Sequence, residues 1–161
     1  MRFARFFTLA VLLLSPLAVQ AQREKLPPED LAVVRKNWPE AQRTSTGLRT
    51  QLISPGQGPK PQKGQLISVL YSGRLLDGNV FDENWDRENP FVFRLGRNFV
   101  IDGWEEGLQM MQVGEKRLFI IPYELAYGTR GDPPKIPRRA TLVFEVELLA
   151  IMPEPEPGAA K

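Results

Sequence analysis

Any chemistry in this chain must do without the two side chains most often used for it, because its 161 residues include neither histidine nor cysteine. That excludes a Ser-His-Asp triad, a thiolate nucleophile, a disulfide and any imidazole or thiolate metal site. What remains is carboxylate, lysine or tyrosine chemistry, backbone groups, and the removal of water. Of the carboxylates, Asp82, Glu83, Asp86 and Glu88 lack the ordered spacing of a calcium loop and read as a solvated loop. Glu105 and Glu106 are neighbours on a predicted helix, face different directions, and are expected to serve as favourable charge in its first turn. Gly56-Gln57-Gly58 opens like a phosphate-binding loop, but Pro59 and Pro61 stand where the helix would begin. No metal and no cofactor is expected.

The aromatic residues are more informative. Tyr71, Phe81, Phe91, Phe93, Trp104, Tyr127 and Phe144 come from different predicted elements of one small domain. Each taken alone is accounted for as core. Two stand apart. Trp104 begins a helix, where an indole is less easily swallowed by a sheet core, and Tyr127 lies in the Gly- and Pro-rich stretch AYGTRGDPPKIP. Large aromatics on rigid loops tend to line pockets.

The elements that must carry these rings read mostly as strands. Alternating or β-branched runs cover Leu48 to Ile53, Gln65 to Leu76, Pro90 to Gly96, Glu115 to Pro122 and Ala140 to Ile151. Asp77-Gly78 predicts a hairpin turn, with NVFDEN as the return strand. One helix follows Asp102, where Asp102 and Glu105 form a capping-box pattern and Trp104, Leu108 and Met111 share a face. An antiparallel sheet must cover one face, and this helix is the available cover. The expected fold is α+β, a curved antiparallel sheet wrapped around one short helix.

Three longer segments, YSGRLLDGNVFDENWDRENPFVFRLG, VIDGWEEGLQMMQVGEKRLFIIP and AYGTRGDPPKIPRRATLVFEVELL, together resemble the FKBP-type peptidyl-prolyl cis-trans isomerases. The resemblance spans residues 47–151 and rests on Y-x-G, D-G-x-x-F-D, G-W-E-E-G, A-Y-G and A-T-L-x-F-x-V-E-L at the family's spacing. It implies a half-barrel of antiparallel strands around a helix, in agreement with the pattern reading. It implies Trp104 as the floor of a proline pocket, Tyr71, Phe91 and Phe144 as walls, and Phe81 and Val100 as further apolar lining. Ile101 would offer its backbone N–H and Tyr127 its phenol to substrate carbonyls, Asp82 would be the carboxylate at the edge, and Ile136 would sit on an overhanging loop. Leu70 stands where an imidazole is common, Asp132 where the family often has histidine, and Lys135 replaces an apolar rim residue. On this resemblance Trp104→Ala is expected to weaken turnover without unfolding the domain. Two alternatives stay open: a polypeptide-holding chaperone module with little catalysis, and an envelope scaffold whose aromatics are all core.

Outside residues 47–152 the chain changes character. Arg2 and Arg5, the apolar run Phe6 to Leu14, Pro16 and the small residues ending at Ala21 predict a secretory signal peptide cleaved after Ala21. The apolar run is well short of the ~20 residues that span a bilayer, so no stable membrane anchor is expected. Those two arginines are the whole excess of 21 Lys+Arg over 19 Asp+Glu, which leaves a neutral mature chain with no basic stripe for nucleic acid. With no N-x-S/T sequon, a periplasmic or secreted envelope protein is expected. Residues 22–46 read as a polar arm or linker, loosely docked at most. Their one helix starts at Pro27-Pro28, stops before Pro39, and sets Leu31, Val34 and Trp38 on one face. Residues 153–161 read as a Pro-rich disordered tail. Expected partners are unfolded or partly folded polypeptides with X–Pro bonds and macrolide inhibitors, bound by a monomer.

Overall fold

Apolar residues on one face of the longer strands pack against a single helix. The computed structural model describes residues 23–153, so the predicted signal peptide and almost all of the Pro-rich tail lie outside the described residues. The elements run α1 (Pro28–Asn37), β1 (Gln42–Arg43), β2 (Arg49–Ser54), β3 (Leu66–Leu75), β4 (Val80–Asn84), β5 (Phe91–Arg94), α2 (Asp102–Met110), β6 (Lys116–Ile121), a 3-10 turn (Tyr123–Leu125) and β7 (Leu142–Met152). All strand pairs are antiparallel, in the order β1-β2-β6-β7-β3-β4. β5 shares the remaining edge of β3 with β4: Leu66 to Val69 pair with β5, and Tyr71 to Arg74 pair with β4. The two are halves of one edge strand, interrupted by residues 85–90.

The sheet curls around α2, so that Ile67 and Val69 of β3, Phe93 of β5, Phe119 and Ile121 of β6 and Phe144, Val146 and Leu148 of β7 share one core with Trp104, Leu108 and Met111. The helix lies close because Gly103 and Gly107 face the sheet. A Cβ on Gly103 would fall 2.5 Å from Ile121, and one on Gly107 2.6 Å from the Phe119 ring.

The predicted capping box does not form. The N-cap is Ile101, without a side-chain cap, and the Glu105 carboxylate instead accepts the Gly96 N–H at 2.6 Å. Glu105 stands in the first turn of α2 as expected, but it is buried, and the loop from Gly96 to Ile101 offers it a main-chain donor that water would otherwise supply.

Residues 23–46 pack against the outer face of the sheet. Val34 of α1 is fully buried on Leu118, Ile120 and Val143, flanked by Leu31 and Trp38. Asp30 accepts the Thr141 hydroxyl at 2.6 Å, and Glu24 pairs with Arg49 at 2.6 Å. β1, in the same stretch, adds a short strand to the sheet edge. A single ten-residue helix is marginal in water, and this burial is what holds it.

Candidate active site

β3 sends Tyr71 and Gly73 to the inner face of the sheet, and Gly73 sits in register opposite Phe144 of β7. The absence of a side chain there makes room for rings. A Cβ on Gly73 would lie 2.4 Å from the Phe144 ring and 2.8 Å from that of Phe81. Into that room Phe81 and Phe144 pack edge to face, with centroids 5.5 Å apart and planes at 85°. Trp104, in the first turn of α2, meets Tyr71 at 5.1 Å and Phe144 at 5.2 Å, both at 82°. Phe91 of β5 stands 6.3 Å from the indole. Edge-to-face contacts of this kind match ring edges to ring faces and fix each ring's orientation.

These rings line a cavity of about 390 Å³, bounded by Tyr71, Phe81, Asp82, Phe91, Asn98, Phe99, Val100, Ile101, Trp104, Tyr127 and Phe144. Nine of the ten residues named from the sequence are thus brought together. The exception is Ile136, which is not on the lining but buried in the core at 3% exposure. Its backbone exchanges two 2.9 Å hydrogen bonds with that of Asp132, closing the loop on which it sits. Phe93, stacked on Phe91 at 5.2 Å, is core. Gly73, Asn98 and Phe99 were not singled out from the sequence. For Asn98 and Phe99 the available signal was an apolar ring between Arg97-Asn98 and the helix start; for Gly73 there was only a small residue in an apolar strand.

Polar groups sit at the edge of the cavity. The Tyr71 hydroxyl donates to Asp82 at 2.8 Å. Burial, then this hydrogen bond and the Asp82 charge, push the Tyr71 phenol well above the usual tyrosine range. Burial, then the charges of Asp132 and Asp82, also raise the Tyr127 phenol. Its hydroxyl has no partner among the described residues, and neither does the Ile101 N–H, one of the donors that a helix start leaves unused. Two free donors therefore stand over an apolar hollow. The lining thus combines apolar rings with these donors and the Asp82 carboxylate.

The remaining candidates take structural positions. Gly58 of the glycine pair donates its N–H to Val113 at 3.0 Å, packing the segment against a turn. Asp86 accepts the Glu88 N–H and the Asn89 side chain, ordering the exposed loop after β4. Among the described residues no cluster of three or more carboxylates is placed to hold a metal, and no described helix is long and apolar enough to cross a membrane.

A family model described as FKBP-type peptidyl-prolyl cis-trans isomerase matches residues 58–149. The chain is 47% identical over 106 residues to FK506-binding protein 1A of Aspergillus fumigatus, covering 65% of this chain and 95% of that one. It is 55% identical over 92 residues to the peptidyl-prolyl cis-trans isomerase FKBP2 of Homo sapiens, covering 57% of this chain and 65% of that one. The crystal structure of FkpA from Escherichia coli superposes with a TM-score of 0.70 at 40% identity, over 79% of this chain and 59% of that one. The curved antiparallel sheet around α2 is the fold these proteins share, and the chain belongs to the family of FKBP-type peptidyl-prolyl cis-trans isomerases.

Proposed function

We propose that this isomerase speeds X–Pro rotation in exported polypeptides by desolvation and positioning, with no covalent or acid–base step. The observation that supports the reading is the ring-lined cavity, with Trp104 meeting Tyr71 and Phe144 edge-on at 5.1 and 5.2 Å. A planar amide is held by resonance, and its rotation barrier is ~18–20 kcal/mol. Twisting the bond removes the resonance and with it part of the charge separation, so water stabilises the planar state more than the twisted one. An apolar pocket removes that bias and so lowers the barrier. The Ile101 N–H and the Tyr127 hydroxyl hold carbonyls on either side of the bond in the turned shape that rotation needs. An acceleration on the order of 10⁴ corresponds to ~5.5 kcal/mol off the barrier, within reach of desolvation and positioning together.

Export is supported by the positive start, short apolar run and small residues ending at Ala21. A slow prolyl step takes tens to hundreds of seconds uncatalysed and can limit folding, which makes an exported isomerase useful to exported clients. A relative bears the name FK506-binding protein 1A, and we extend macrolide binding to this cavity. The test is an X–Pro exchange assay on a short peptide, with and without FK506. Acceleration that FK506 abolishes is expected; no acceleration overturns the reading. N-terminal sequencing of the exported protein is expected to begin at Gln22.

A further inference from the structure

The wall of the cavity runs outward along three consecutive apolar residues. Ile101 and Val100 are half-buried against the core, whereas Phe99 is 73% exposed although it lines the same cavity. Phe99 belongs to neither core cluster and makes no ring contact among the described residues. Asn98 beside it has φ 54, a left-handed conformation uncommon outside glycine, which turns the chain at the rim. A phenyl ring held in water contributes nothing to the free fold, yet covering one is among the larger gains a side chain can make. The other exposed lining residues, Asp82, Asn98 and Tyr127, all end in polar atoms.

We propose that Phe99 is a specificity-determining residue, whose ring receives an apolar substrate side chain outside the X–Pro pair. The assignment rests on the reading above, in which the Ile101 N–H holds a substrate carbonyl. Consecutive Cα atoms are 3.8 Å apart, so the Phe99 Cα lies at most ~7.6 Å from that of Ile101. An extended substrate advances ~3.3 Å per residue, so a side chain two residues from the held carbonyl is ~6.6 Å along the chain, within that span. Phe99 is the exposed wholly apolar surface it finds there.

The test is a peptide series with the X–Pro pair fixed and the flanking positions changed one at a time from Ser to Leu or Phe. For the wild type, kcat/KM is expected to rise about tenfold for apolar residues at one flanking position, through KM, equivalent to ~1.4 kcal/mol. In Phe99→Ser that ratio is expected to fall to near one, and in Phe99→Leu to recover. A wild-type ratio near one at every flanking position overturns the proposal, and so does an undiminished ratio in Phe99→Ser. The Ser-flanked parent separates the two readings. If the wild type fails to accelerate it, the isomerase mechanism falls and this proposal with it; if it accelerates the parent but shows no flank dependence, only this proposal falls.

Discussion

Tyr127 and Trp104 separate what a side chain does for the site from what it does for the fold. Tyr127 is 39% exposed and its hydroxyl has no partner among the described residues. Tyr127→Phe removes one donor and nothing else, and a single hydrogen bond is worth about 0.5–1.5 kcal/mol. A two- to tenfold drop in kcat/KM is expected by about that arithmetic, with Tm unchanged by thermal melting. Trp104 is different, because it is 4% exposed and shared between cavity and core. The sequence suggested that Trp104→Ala would spare the fold, but deleting a buried indole costs about 3–5 kcal/mol. Trp104→Ala is therefore expected to lower both turnover and Tm, and Trp104→Leu, which refills part of the space, to lose turnover with a smaller fall in Tm. The motif containing Trp104 was legible in the sequence; its double duty was not, since burial depends on which strands curl over it.

The two glycines of α2 show the same limit at the scale of an element. Gly103 and Gly107 read as a spacing within G-W-E-E-G, and their role becomes visible only against β6. Alanine is the better helix former by about 1 kcal/mol, so propensity alone predicts that Gly107→Ala stabilises. The Cβ would sit 2.6 Å from the Phe119 ring, which is fully buried and has nowhere to go. Overpacking of this kind costs about 1–3 kcal/mol and should prevail. Gly107→Ala is expected to lower Tm by several degrees and to reduce turnover as α2 lifts Trp104 from its place, read by melting and by the exchange assay. Strand positions followed from alternation because burial on one face leaves a period of two. The capping box failed because Glu105 found a donor, the Gly96 N–H, that local sequence does not announce. Ile136 is buried in the core, and its backbone pairing with Asp132 is likewise not announced by local sequence.

Over the whole molecule, the absence of histidine and cysteine bears on pH dependence. Two phenols stand at the cavity edge beside the Asp82 carboxylate, and both Tyr71 and Tyr127 are shifted upward, first by burial and then by neighbouring carboxylates. A raised pKa keeps the protonated, donating form present below the ordinary tyrosine value and beyond it, and the contribution is lost only as pH climbs through the folded value. Turnover is expected to stay flat from about pH 6 to about pH 9 and to fall only on the alkaline side. A bell centred near neutrality in the kcat/KM profile would show that a titrating acid or base takes part.

The family resemblance named ten site residues, of which nine line the cavity; from composition and pattern alone came the exclusion of histidine- and cysteine-based chemistry, the strand set and the cavity-bearing helix. These are properties of residue type and local period, which the chain carries wherever it folds. The close seating of α2, the burial of Trp104 and Ile136 and the exposure of Phe99 depend on which surfaces meet. Each is decided by contacts between residues far apart in sequence, and such contacts exist only once the sheet has curled.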